Sequence, residues 1–140
     1  MAMYAAKAKG KNTSVLFTPS LRDARTERRQ LIADLEHAVE TDALVPHYQP
    51  KVDSRSYRVC GAEALVRWHH PTRGMVSPAK FLNLAEERGL LPQIDRLMFR
   101  KVCEDVAHWG REKFDVGQVS INLSGPRLLD PNLLSELAHA

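Results

Sequence analysis

From residue 41 onward, apolar positions alternate between a two-residue and a three-to-four-residue repeat, the pattern of strands interleaved with helices. Val45 to Val52 reads as a strand interrupted by Pro46 and Pro50. Proline has no N–H to give to a ladder, so an edge or terminal strand is predicted. Asp53-Ser54-Arg55-Ser56 predicts a turn and Tyr57 to Trp68 a second, longer strand, the two forming an antiparallel hairpin. Ser77 and Pro78 predict the start of a helix that runs to Gly89, with Phe81, Leu82, Leu84 and Ala85 inward. Pro92 opens another helix, lined on one face by Ile94, Met98, Val102, Val106 and Trp109 and ended by Gly110. Val119 to Ser124 predicts a third strand, and Asp130-Pro131 the cap of a last helix still running at Ala140.

Ahead of this alternation the pattern changes. Ser20 to Glu40 predicts one helix, with Ser20 as N-cap and Leu31, Leu35, Ala38 and Val39 on one face. Its first half has only Leu21 and Ala24 to bury, which suits a connector between domains. Met3, Tyr4, Ala6 and Ala8 suit a helix stopped at Gly10, and Ser14 to Phe17 suits a short strand. One helix and one strand cannot bury a core of their own. The expected organisation is therefore a remnant of a preceding domain over 1–19, a connector helix over 20–40, and a strand-helix domain over 41–140.

Composition narrows the class. The 140 residues are 44% hydrophobic and 26% charged, which excludes a disordered chain. Two cysteines cannot staple a secreted miniature, and no apolar run approaches the ~18–20 residues that span a bilayer. No signal-peptide pattern opens the chain, so the default compartment is cytoplasmic, with no membrane segment in these residues. The net charge of +3 is mild. Its one basic cluster, Arg22, Arg25, Arg28 and Arg29, is diluted by Asp23 and Glu27 and lacks aromatics, so a solvated helix face is expected and no nucleic-acid polymer as partner.

The second strand carries the chemistry. With period two, Cys60, Ala62, Ala64, Val66 and Trp68 share an apolar face, while Tyr57, Val59, Gly61, Glu63, Leu65 and Arg67 share the other. If that second face meets water, the strand belongs to a half-exposed antiparallel sheet. If it lines the inside of a barrel, Glu63 and Arg67 are costly unless something charged binds between them. The pattern by itself favours the first. On the third strand, Gln118, Ser120, Asn122 and Ser124 face one way. Asn122 and Glu63 are both hard oxygen donors of the kind Mg²⁺ and Mn²⁺ accept, enough to begin a metal site but not to complete one. By itself Asn122 suits a surface amide equally. His69 and His70 are adjacent on a strand and point to opposite faces, while His37, His108 and His139 are expected on the surface. Cys60, Cys103, Trp68 and Trp109 are expected in the core.

Several of these runs resemble one family. Tyr48-Gln49-Pro50, then Gly61-Ala62-Glu63-Ala64-Leu65-Val66-Arg67-Trp68, then His70-Pro71, Gly74, Val76, Pro78, Phe81 and Ala85-Glu86, resemble the EAL domain of bacterial cyclic-di-GMP phosphodiesterases. Ser120-Ile121-Asn122-Leu123-Ser124 resembles that family's next motif. Ala2 to Asn12 likewise resembles the closing helix of a GGDEF domain, the diguanylate cyclase module, and GGDEF followed by EAL is a common tandem.

The resemblance implies an α/β fold, a TIM-like barrel whose first strand runs antiparallel, here incomplete. It implies hydrolysis of cyclic di-GMP to linear pGpG with two Mg²⁺ or Mn²⁺ ions. Glu63 and Asn122 would be metal ligands, Arg67 would hold a phosphate, and Gln49 and Leu65 would contact the dinucleotide. On that footing Glu63, Arg67 and Asn122 are functional instead of merely solvated. The family's later acidic, lysine and glutamine residues have no counterpart here, and three strands cannot close an eight-stranded barrel. The expectation is thus an internal segment of a GGDEF–EAL signalling protein, inactive when isolated. An alternative is a non-catalytic cyclic-di-GMP sensor or scaffold with a degenerate EAL domain. A third reading, a small folded protein, requires a homodimer or a partner chain to hide the open sheet edge.

Overall fold

The computed structural model describes residues 19–138. The expectations of a helix stopped at Gly10 and a strand over 14–17 lie outside the described residues, as do His139 and Ala140. Two compact units divide between Asp34 and Leu35. In the first, the described residues are the front of helix α1 (Pro19–Glu40). Residues 22–30 are all exposed, as their polar composition predicts. The helix starts at Pro19, so Ser20 stands inside its first turn instead of capping it. Proline suits that position because its missing N–H would have had no helical partner there.

The second unit begins with the end of α1, where Leu35 and Ala38 are buried. A positive φ at Asp42 turns the chain into β1 (Leu44–Val52). β1 pairs antiparallel with β2 (Val59–His70), from Leu44 opposite Trp68 to Val52 opposite Val59. The hairpin is as expected, but Tyr57 lies in its turn with φ 54° and not on the strand. Asp53 builds that turn: its Oδ1 accepts from the Ser56 N–H at 2.7 Å, the Ser56 hydroxyl at 2.8 Å and the Arg55 N–H at 3.1 Å. These bonds hold its carboxyl below the usual range.

The other edge of β2 is shared. The short β3 (Gly74–Val76), which the sequence pattern missed, pairs antiparallel with Trp68–His70. The strand β4 (Gln118–Ile121) pairs parallel with Gly61–Ala64. Leu65, Val66 and Arg67 lie between these two partners with no ladder on that edge. Parallel pairing of β2 and β4 requires a crossover, supplied by α2 (Pro78–Arg88) and α3 (Leu91–Arg111). Gly89 ends α2 at φ 68°, its N–H returned to Glu86. After β4 come a single turn, α4 (Gly125–Leu128), and α5 (Leu133–Ala138); α4 was not expected.

The helices cover the even-numbered face of the sheet. Ala62, Ala64 and Trp68 are buried there with Phe81, Leu84 and Ala85 of α2 and Ile94, Leu97, Met98 and Val102 of α3. Trp68 meets the edge of Phe81 at 5.7 Å between ring centroids, and Tyr48 meets Trp109 at 4.7 Å. Four residues expected in the core fall short of it. Cys60 is exposed near the hairpin end, its thiol 3.5 Å from the Lys51 carbonyl, and Cys103 is half-buried. Val106 is exposed, and Trp109 is half-buried against Tyr48 of β1, which is itself half-buried. His69 and His70 do face opposite ways: His70 is buried beside Trp68, and His69 is exposed. Among the described residues no helix is long and apolar enough to cross a membrane.

Candidate functional site

The opposite face of the sheet, odd-numbered on β1 and β2 and even-numbered on β4, carries the polar residues that the sequence singles out. Gln49 on β1 stands directly opposite Glu63 on β2, and Glu63 stands opposite Ser120 on β4. Side chains two apart share a face, so Glu63, Leu65 and Arg67 follow one another along β2. All three are half-buried, while Gln49 and Asn122 are exposed. The decisive contact joins residues far apart in sequence: Asn122 Nδ2 donates to Glu63 Oε1 at 2.7 Å. All five expected site residues therefore lie on one face, and two of them touch.

The rest of the face is cationic. Lys51 and Arg67 flank Glu63, which is the one carboxylate among the odd-numbered residues of β1 and β2 and the even-numbered residues of β4. Lys51 Nζ donates to Ser120 Oγ at 2.6 Å, and one guanidinium nitrogen of Arg67 donates to the Val66 carbonyl at 2.8 Å. His47 and His69, on different strands, bring their Nε2 atoms to 3.3 Å. A face of this kind draws an anionic ligand and offers one acidic spot on which a cation can sit.

The donor chemistry bears on whether a divalent cation fits. Glu63 offers carboxylate oxygens, and the Asn122 amide, turned end for end, offers a third hard oxygen from the segment after β4. Mg²⁺ and Mn²⁺ accept such ligands but take about six. Among the described residues there is no cluster of three or more His, Cys, Asp or Glu that could hold a metal ion. The pair fits part of a coordination shell.

Beside the pair, where β2 lacks a ladder partner, a cavity of about 290 Å³ opens. Leu65 and Arg67 line it from β2, Ile94, Asp95 and Met98 from α3, and Asn122 and Ser124 from the segment after β4. Residues that sequence reasoning missed cluster here and on the cationic face. His47 was missed because its partner is 22 residues away on another strand. Asp95 is a carboxylate in the buried stripe of α3 with Ile94, Leu97 and Met98, which its place among the apolar positions of the sequence could have signalled. It accepts from the Ser124 hydroxyl at 2.5 Å and the Ser124 N–H at 2.9 Å.

Comparison with known proteins bears on the family and the fold. The family model described as "EAL domain" matches residues 32–140. The cyclic di-GMP phosphodiesterase PdeR of Escherichia coli is 39% identical over 136 residues, which cover 97% of this chain and 20% of that protein. The bifunctional diguanylate cyclase/cyclic di-GMP phosphodiesterase MucR of Pseudomonas aeruginosa is 36% identical over 139 residues, 99% of this chain and 20% of its own length. The chain thus spans about a fifth of these relatives. The solved phosphodiesterase of MucR in complex with c-di-GMP superposes with a TM-score of 0.72 at 35% identity, over 79% of this chain and 44% of that one.

Proposed function

The chain belongs to the EAL domain family, and from that membership we propose that residues 41–140 supply the opening strands and first ligands of a cyclic-di-GMP phosphodiesterase site. Phosphodiesterases of this family are divalent-metal dependent. The observation that carries the reading is the Glu63–Asn122 contact, which joins an oxygen-bearing side chain of β2 to one just past the end of its parallel neighbour β4.

In this reading Glu63 and the Asn122 amide oxygen hold Mg²⁺ or Mn²⁺. When bound, the cation polarises the phosphate and lowers the pKa of a water at the reacting phosphorus. Arg67 pairs with a phosphate oxygen through the arm of its guanidinium not spent on Val66, and so places the scissile group beside Glu63. Gln49, opposite Glu63 on β1, hydrogen-bonds the dinucleotide, and Leu65 packs against it. The same reading takes residues 1–19 as the closing piece of a GGDEF domain and 20–40 as a connector. Alignment with a bifunctional cyclase/phosphodiesterase over 99% of the chain supports it. In this reading the 140 residues alone do not turn over substrate, because Glu63 and Asn122 are too few ligands to hold the two cations that the reaction would use.

The test follows conversion of cyclic di-GMP to pGpG in Mn²⁺ by the full-length gene product and by its Glu63→Ala variant. Turnover that the substitution abolishes is the expected result. Binding of cyclic di-GMP without turnover would replace the enzyme with a sensor, and neither binding nor turnover would reject both.

A further inference from the structure

The ladder between β2 and β4 ends at Ile121 opposite Ala64. Asn122 is the next residue, and residues 122–124 belong to no strand or helix. A side chain placed one step past a strand end is held on its upstream side only, and it swings unless something fixes the chain downstream. Here that anchor is Asp95. Its Oδ2 accepts both the Ser124 hydroxyl at 2.5 Å and the Ser124 N–H at 2.9 Å, two residues beyond Asn122. Asp95 is only 8% exposed and stands in the first turns of α3, among Ile94, Leu97 and Met98, so the anchor is rigid.

Ser124 relays the hold onward. Its hydroxyl caps α4 by accepting the Arg127 N–H, and its backbone φ and ψ are those of an N-cap. The neighbouring Arg96 takes Asp130 at 2.6 Å, tying the far side of that turn to α3 as well. The segment that carries Asn122 is thus fixed to β2 at Ile121 and to α3 at Ser124, and the amide between them meets Glu63.

We propose that Asp95 is a positioning residue for the cation pair: by clamping Ser124 it holds the Asn122 amide within reach of Glu63. This rests on the reading of Glu63 and Asn122 as cation ligands. Loss of a group that orients a metal ligand typically weakens metal affinity 10–100-fold.

The experiment measures Mn²⁺ binding to the full-length protein without substrate, from the electron paramagnetic resonance signal of the free ion, with melting temperature recorded alongside. Asp95→Ala is expected to weaken the sites that Glu63→Ala abolishes by about tenfold or more. Asp95→Asn keeps an oxygen able to accept the same two bonds and is expected to stay within about threefold. In an Asn122→Ala background, removing Asp95 should cost no further affinity. A merely structural role would lower the melting temperature and leave the affinity of the folded protein unmoved. If Asp95→Ala prevents folding, Ser124→Ala carries the test, with weakened Mn²⁺ binding expected. Unchanged Mn²⁺ binding in Glu63→Ala overturns the reading of the pair. Loss in Glu63→Ala with unchanged affinity in the folded Asp95 variant, or in Ser124→Ala where that stands in, overturns the proposal alone.

Discussion

Gly61 and the Gln118 carbonyl are neighbours across the β2–β4 ladder, and a Cβ at position 61 would stand 2.3 Å from that oxygen. The approach is mutual: a Cβ at Gly117, where φ is 66°, would stand 2.5 Å from the Cys60 carbonyl. Glycine on both strands lets two backbones meet at the entry of the parallel pair. Two residues on, the same pair sets Glu63 opposite Ser120.

Gly61→Ala is therefore expected to force β4 away from β2 at the point where the ladder begins. Overpacking of this kind costs about 1–3 kcal/mol. The loss should show as a lower urea midpoint, accompanied by weaker Mn²⁺ binding as Asn122 moves from Glu63. A midpoint equal to that of the unsubstituted protein would mean that the strands accommodate the methyl.

Tyr48 gives a pH dependence. Its hydroxyl donates to Asp105 at 2.5 Å and its ring meets Trp109 edge-on. Burial, then the hydrogen bond to Asp105, push the phenol well above its ordinary value of 10. The folded protein thus keeps a proton that the unfolded chain releases. The stabilisation is fully present below pH 10 and is lost as pH rises from there toward the folded value. Tyr48→Phe should remove that alkaline loss and cost about 1 kcal/mol at neutral pH. Denaturation midpoints of both proteins between pH 8 and 11 would check it; equal alkaline slopes would assign the dependence elsewhere.

The hairpin, the long α3 and the division of β2 into two faces were legible because period two and period 3.6 were each sustained over several turns or pleats. The pairings at the second edge of β2 were not. β3 is three residues long, too short for a period, and nothing local in Gln118–Ile121 says that it pairs with Gly61–Ala64. Glu63, Leu65 and Arg67 could be placed on one face by counting, but their meeting with Asn122 depends on that long-range register. Cys60 misled for a related reason: it shares the apolar face by parity, yet lies near the hairpin end where no helix covers it.

The segment after β4 is held by charge. Arg127 is 1% exposed and pairs with Asp130 at 2.5 Å and with Glu136, while Arg96 also reaches both acids. The Asn132 N–H and the Arg96 guanidinium hold the Asp130 carboxyl below its usual range. Its contribution is present above the ordinary carboxylate value and lost as pH falls through the lowered one. Hydrogen exchange over residues 125–138 should accelerate in Arg127→Ala at neutral pH, and in the unsubstituted protein on acidification below about pH 4. Exchange unchanged by both would mean that packing alone holds the segment.

Under the proposed function, substitution of Arg67 should separate phosphate binding from cation binding. It lines the cavity beside the unladdered stretch of β2, and one of its nitrogens is fixed on the Val66 carbonyl, which orients the guanidinium plane. Lysine at this position keeps the charge but loses both that orienting bond and the paired donors that match a phosphate. Arg67→Lys is thus expected to raise KM for cyclic di-GMP about tenfold, the loss of roughly one charge-assisted hydrogen bond. Arg67→Ala should raise it further. Mn²⁺ binding, which the proposed function assigns to Glu63 and Asn122, should stay unchanged in both variants. Because the two readouts draw on different side chains, a fall in Mn²⁺ affinity with Arg67→Lys would show that Arg67 braces the pair, and an unchanged KM would remove it from the phosphate site.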